Sequence, residues 1–254
     1  MRFAPQRRVQ YAEFEARSHG RYDPAFDMTK TDIRDQPAYT LAEAARYLKV
    51  APATLRSWVV GRSYEKAAGT AQSSPLIRPP RKQPPTLSFW NLIEAHVLRS
   101  LRTDHGVSMD KLRRAIIYAQ NTLKVDRLLL SGELRTDAGK LLLDNYGHLI
   151  ELSASGQMAM RRLFNDHLAR VEWDEWKFPV RLFPFASSRS PTGDKPIAID
   201  AQIAFGRPVL ARRGITTATI AERIDAGESA ADLAEDYDLS ERDIEEAVLY
   251  ERAA

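Results

Sequence analysis

The period of apolar and polar positions changes several times along this chain, and the changes divide it. Between residues 39 and 120, apolar residues recur at i, i+3, i+4 and i+7, predicting four helices interrupted by a stretch at 63–85. That stretch holds Pro75, Pro79, Pro80, Pro84 and Pro85, so it reads as a loop or extended ribbon. Farther on, LLLDNYGHLIEL alternates around 145–147 like a hairpin, residues 157–171 form an amphipathic helical pattern, and KFPVRLFPF reads as a short edge strand. The small polar run ASSRSPTG at 186–193 has linker composition. Two short extended pieces, at 197–199 and 207–210, and three short helices follow it. The expected organisation is an arm over 1–38 ordered only by docking, a helical unit at 39–124, a small mixed unit at 125–186 and a C-terminal unit at 194–254.

The first helical unit carries the sharpest local signals. In TLAEAARYLKVAPATLRSWV, Thr40 followed three residues later by Glu43 makes a capping box that fixes a helix start. Leu41, Ala44, Ala45 and Leu48 then form one apolar stripe whose alanines admit a second helix closely. Lys49 and Val50 supply a turn, and Pro52 suits the first turn of a new helix because its missing N–H has no intrahelical partner there. Leu55 and Val59 continue the inward face, with Trp58 covering the pair, which leaves Ala53, Thr54, Arg56 and Ser57 facing outward. A third helix with Leu92, Ile93, Val97 and Leu101, and a fourth capped by Ser108 with Leu112, Ala115, Ile116 and Ala119, would close the unit. On these residues, 39–120 resemble the MerR-like winged helix-turn-helix family, which implies a recognition helix in a DNA major groove and a wing after it. A MerR wing is a short hairpin; residues 63–87 are longer and rich in proline.

Charge sharpens this picture. The net charge of +3 conceals 13 basic and 5 acidic residues at 39–120, which is +8, against 7 basic and 14 acidic at 194–254, which is −7. A polyanion partner at one end and a different partner at the other are expected. Arg56 and Arg62 are the expected ordered contacts to DNA, while Lys66, Arg78, Arg81 and Lys82 in the proline-rich stretch add phosphate contacts without base reading. A fragment ending near Gln120 is accordingly expected to bind DNA by itself.

In the acidic segment, Gly206, Arg207 and Pro208 predict a turn between two short strands, Gly227 closes a helix begun near Thr217, and Ser229 and Ser240 each cap a helix. Leu233, Leu239, Ile244, Val248 and Leu249 supply the shared apolar surface of a homeodomain-like three-helix unit. Together these features predict a mainly α fold with small β elements: a winged helix-turn-helix followed by a three-helix domain. The residues Ile199-Asp200, 205–209, 226–229 and 233–237 resemble a family of small bacterial domains that act as antitoxins beside PIN-type ribonuclease toxins. The whole arrangement resembles a VapB-like antitoxin of a type II toxin-antitoxin pair. That resemblance implies binding of operator DNA to repress its own operon and masking of the toxin. Arg207, Arg212 and Arg213 are the candidates to enter an acidic, metal-binding active site. The acidic helices themselves are expected to pack against protein.

Other chemistry is less well served. The absence of cysteine removes disulfides, thiolate nucleophiles and cysteine-ligated metals. The five histidines show no metal-ligand spacing, and His167 shares the face of Met160, Leu163, Phe164 and Val171 like a core residue. No phosphate loop, dinucleotide glycine pattern or serine elbow occurs, so neither catalysis nor a cofactor is expected. No apolar run is long enough to span a membrane, and the first twenty residues lack a secretory core, so a cytoplasmic location is expected. A homodimer reading two half-sites is expected. The rival expectation is a MerR-like transcription regulator controlled by a small effector.

Overall fold

The computed structural model describes residues 32–61, 63–66, 69–102, 109–123, 127–131, 134, 141–144, 154–184 and 195–253. Strand β1 (Tyr39–Thr40) leads directly into helix α1 (Leu41–Leu48), and α2 (Pro52–Val59) follows after a three-residue turn. The proline-rich stretch then differs from the expected loop or ribbon. It folds as two hairpins: β2 (Ser63–Lys66) with β3 (Gly69–Gln72), and β4 (Arg81–Lys82) with β5 (Pro85–Leu87). The prolines allow this by their positions. Pro75, Pro79, Pro80 and Pro84 lie between strands, and Pro85 opens β5 at the end that pairs with Lys82 but not with β1, so its missing N–H breaks no bond in the β1–β5 ladder.

Helix α3 (Phe89–Arg102) is the axis of the molecule. The sequence suggested one apolar stripe, yet the helix is buried on nearly every side. Its polar residues survive there because each has a partner. Asn91 accepts from the Ser88 N–H at 3.1 Å and donates to Glu94 at 2.8 Å; His96 Nε2 lies 3.0 Å from the His167 carbonyl oxygen. Arg127 pairs with both Glu94 and Asp35, at 3.1 and 3.0 Å. Residues 32–38, the described part of the expected arm, are held in the same way: Arg34 bridges Asp32 and Asp174 and lies over the Trp90 ring.

Helix α4 (Met109–Leu123) follows, with Ser108 outside the described residues. Residues 141–144, expected as the first arm of a hairpin, form a helical turn that buries Leu142 and Leu143, and 145–147 lie outside the described residues. Helix α5 (Ala154–Leu168) packs across α3. It stops before Val171, contrary to the expected span of 157–171, because the Arg170 carbonyl is taken by the Phe183 N–H of the adjoining hairpin. That hairpin pairs β6 (Val171–Trp173) with β7 (Pro179–Leu182).

The main apolar core runs unbroken from Tyr39 to Ala201, through Leu92, Leu98, Ala115, Leu128, Phe164, Leu182 and Ile199. It crosses the boundary expected at 124/125, so a fragment ending near Gln120 would leave the α3 face that packs on α5 open to water. The linker at 186–193 lies outside the described residues, but the chain on either side of it is stitched together, with Leu182 and Ile199 exchanging two backbone hydrogen bonds of 2.9 and 2.8 Å.

The C-terminal segment pairs β8 (Ile197–Ala198) with β9 (Val209–Leu210) and then forms α6 (Thr217–Asp225), α7 (Ala230–Tyr237) and α8 (Glu241–Arg252) around a small core of Leu210, Ile220, Leu233 and Ile244. The turn between the strands sits two residues earlier than expected, as a single tight turn at Ala204–Gly206.

Candidate nucleic-acid interface

The helix-turn-helix is built by local chemistry. Thr40 accepts from the Glu43 N–H at 3.2 Å while Glu43 accepts from the Thr40 N–H at 2.9 Å, completing the capping box of α1. The helix stops at Lys49, whose left-handed backbone (φ 52°) turns the chain, and the Val50 N–H closes the stop on the Ala45 carbonyl at 3.0 Å. Pro52 then opens α2. Ala44 and Ala45 are buried against Leu55, Trp58 and Val59, so the turn angle is set by close packing.

Opposite that packed side, Ala53 and Arg56 are exposed, and Thr54 and Ser57 are half-buried, with the Ser57 hydroxyl donating to the Thr54 carbonyl at 2.7 Å. The Arg56 guanidinium makes no ion pair among the described residues. The end of α2 is anchored firmly. The Trp58 carbonyl accepts from the N–H groups of Leu76 and Ile77 at 2.7 and 3.0 Å, and Ile77 is buried. Gly61 (φ 86°) lies against the Ser73 carbonyl, where a Cβ would approach to 2.1 Å, so the β2–β3 hairpin leaves α2 at a fixed point.

The remaining basic candidates are distributed around this frame. Arg62 lies outside the described residues; Lys66 ends β2, and its side chain lies outside them too. Arg78 is exposed, its carbonyl held by Asn91 at 3.3 Å. Arg81 and Lys82 are exposed on β4, an edge of the β1-β5-β4 sheet, and Arg81 donates to Thr86 at 3.0 Å. Ala53, Thr54, Arg56 and Ser57 therefore share one helix face, while Arg78, Arg81 and Lys82 belong to the loop and sheet beyond the hairpin.

The three arginines of the C-terminal segment separate in the same reading. Arg213 is held by Asp238, through the carboxylate and also through the carbonyl at 3.3 Å, and Arg212 stands 3.8 Å from Asp243. Arg213 thus braces the turn between α7 and α8, while Arg212 stays 74% exposed. Arg207 is exposed and makes no ion pair among the described residues.

Sequence reasoning missed the clasp between the two ends. The Tyr250 hydroxyl donates to the Tyr47 carbonyl at 2.7 Å, and Lys49, at the turn of the helix-turn-helix, donates to the Tyr250 carbonyl while its ammonium lies 4.1 Å from that ring's centroid. Arg46 pairs with Glu251 at 3.1 Å, and Glu251 also accepts from Thr217. Burial pushes the Tyr250 phenol well above its ordinary value and holds the Lys49 ammonium below its own. Thus the acidic helices, expected to face another protein, spend part of their surface on the chain's own α1. Nothing in local periodicity could pair residues so far apart.

The C-terminal helices also repeat the front motif. Helices α7 and α8 are joined by a left-handed Asp238 (φ 51°), the Leu239 N–H bonds the Ala234 carbonyl at 2.9 Å, and Ser240 caps the second helix. At the places of Ala53, Thr54, Arg56 and Ser57 this unit carries Arg242, Asp243, Glu245 and Glu246. The two helix pairs thus share a left-handed turn and carry different charge at these four positions. Among the described residues no group of three or more histidine, aspartate or glutamate side chains is arranged to hold a metal ion, and no helix is long and apolar enough to cross a membrane.

Known proteins place these two regions separately. Residues 37–116 match a family described as "Putative DNA-binding HTH domain", and residues 197–250 match one described as "Protein of unknown function (DUF433)". The chain is 27% identical to the "Putative antitoxin VapB45" of Mycobacterium tuberculosis over 84% of its own length and 93% of that protein. It is 25% identical to "Uncharacterized protein Rv2308" of the same organism, over 88% and 94%. The crystal structure of Rv2018, also from Mycobacterium tuberculosis, superposes with a TM-score of 0.60 at 23% identity, over 84% of this chain and 98% of that one, a likeness of fold.

Proposed function

We propose that this protein is a DNA-binding antitoxin of a type II toxin-antitoxin pair, which represses its own operon and neutralises a PIN-type ribonuclease. One observation carries the DNA-binding half of this reading: the outward face of α2, with Arg56 exposed, is left uncovered by a scaffold that braces the helix at both ends. The β2–β3 hairpin immediately after α2 supports a MerR-like wing, and the +8 charge of residues 39–120 supports a polyanion ligand. Ala53, Thr54, Arg56 and Ser57 take the major groove, and Arg62, Lys66, Arg78, Arg81 and Lys82 reach phosphates. Ile117 and Tyr118, about half exposed on α4, supply the apolar face of a homodimer.

The antitoxin half is supported by the likeness to a protein that bears that name along most of both chains. With Arg213 held by Asp238, Arg207 and the largely exposed Arg212 are the arginines best placed to enter a carboxylate cluster. The test is growth of a bacterial host expressing the neighbouring gene, with and without this protein, beside a binding titration on DNA from upstream of its own gene. Arrest relieved by co-expression, together with a steep salt dependence on the upstream DNA, is the expected outcome. A harmless neighbour would remove the toxin, and unselective binding would remove the operator.

A further inference from the structure

At 90% exposure, Phe205 is the most exposed of the large apolar side chains among the described residues. A single exposed phenylalanine is ordinary on a protein surface. Its backbone is not. Ala204, Phe205 and Gly206 are left-handed in succession, with φ of 48°, 56° and 75°, a conformation unfavourable to any residue with a Cβ and rare for a bulky one.

The turn is held in that state from several directions. The Ile203 N–H donates to the Asp200 carbonyl at 3.0 Å, Gly206 to Ile203 at 2.9 Å and Arg207 to Ala204 at 3.1 Å. The Asp200 carboxylate is itself fixed by Arg181 at 3.2 Å. Gly206 rests on Tyr39, where a Cβ would come within 2.0 Å of the hydroxyl, so the turn is seated on the strand that starts the helix-turn-helix. An asparagine at 205 would suit both the left-handed backbone and the water around it. The chain instead places an aromatic ring there, where the folded protein gains nothing from it.

We propose that Phe205 is the anchor by which this protein docks an apolar pocket on a partner protein, beside carboxylates that take the neighbouring Arg207. Strain retained at an exposed turn points to a function outside the fold, and a rigid aromatic with few rotatable bonds is the side chain that concentrates binding energy in a pocket. The surroundings of that pocket follow from charge: Arg207, two residues on, is exposed and makes no ion pair among the described residues, so the partner surface beside the pocket is anionic. A ribonuclease with an acidic metal-binding centre offers that surface, with apolar platforms for the bases of its RNA nearby. This assignment of the surface rests on the reading of the partner as a toxin.

The test uses the full chain and the purified product of the neighbouring gene, titrated by calorimetry. Phe205→Asn is expected to weaken binding about 30-fold or more, while Phe205→Trp keeps it within a few-fold. The same Phe205→Asn protein is expected to melt about 2–4 °C higher, because it relieves the backbone, and to bind upstream DNA as the wild type does. If the wild type binds and Phe205→Asn binds equally well, the anchor is refuted and the toxin pairing stands. A lower melting temperature with weaker binding assigns Phe205 a structural role and also refutes the anchor. Absence of any wild-type binding overturns the toxin pairing, and the anchor with it.

Discussion

The hydroxyl of Tyr250 donates a 2.7 Å hydrogen bond to the backbone carbonyl of Tyr47, joining the last helix of the chain to the first helix of the DNA-reading motif. Tyr47 precedes the turn residue Lys49 by two positions, and Lys49 reaches back to the carbonyl of Tyr250. The C-terminal unit is thus a brace for the recognition machinery.

Tyr250→Phe removes one buried hydrogen bond and leaves the Tyr47 carbonyl to find another. It should cost about 1 kcal/mol, lowering the melting temperature by about 2–4 °C. The same variant should weaken DNA binding, since α1 loses its outer support; a melting curve and a titration on upstream DNA read the two effects, and unchanged values in both would show that the clasp is idle.

Arg56→Ala should lower affinity for upstream DNA by about 1–3 kcal/mol if the side chain reads a base, with loss of discrimination against unrelated DNA. Should it contact phosphate alone, the loss would be uniform across sequences and the salt slope would fall by about one. Anisotropy titrations at several salt concentrations separate the cases. Equal affinity under all of them would remove Arg56 from the interface.

Arg127, 11% exposed, neutralises Glu94, 5% exposed, in the middle of the core. Its attraction to those carboxylates outweighs the cost of burial and holds the guanidinium more firmly protonated than usual. Arg127→Met strands the Glu94 carboxylate and should destabilise by about 3–5 kcal/mol, whereas the pair Glu94→Leu with Arg127→Met should recover much of the loss. Urea unfolding of the wild type, single and double variants tests this; a double variant worse than the sum of its parts would contradict it.

His96 is buried beside His167, with ring centroids 4.9 Å apart, and burial holds its pKa well below the ordinary 6.5. Both folded and unfolded chains keep it neutral above about pH 7. As the pH falls through 6.5, the unfolded chain takes up a proton that the buried ring refuses, so stability should fall by up to about 1.4 kcal/mol per pH unit. His96→Gln should flatten this slope between pH 6.5 and 5.5. Equal slopes in urea midpoints would assign the acid sensitivity elsewhere.

Whatever depended on neighbours in sequence was legible from it. The capping boxes at Thr40 and Ser240, the turn at Lys49, the Pro52 start and the outward set from Ala53 to Ser57 are written within a few residues. The two hairpins in the proline-rich stretch were not, because the prolines that argue against a strand lie between the strands or at the end of one. Nor was the burial of α3: its Glu94 and His96 look like surface residues until Arg127 and His167 arrive from other elements to pair with them, while Asn91 is held locally by Ser88 just before the helix. Phe205 stood out in the sequence only as part of the 205–209 resemblance, since exposure and a left-handed backbone are properties of the folded turn.

The clasp also sets an order of events during synthesis. Tyr47 and Tyr250 are 203 residues apart, and at about 5–20 residues per second a ribosome needs about 10–40 s to make the chain between them. Throughout that interval the first-made motif stands without its brace, and a chain that ends early never acquires it. A prematurely terminated product therefore lacks the Tyr250 contacts that hold α1 and its turn to the C-terminal helices.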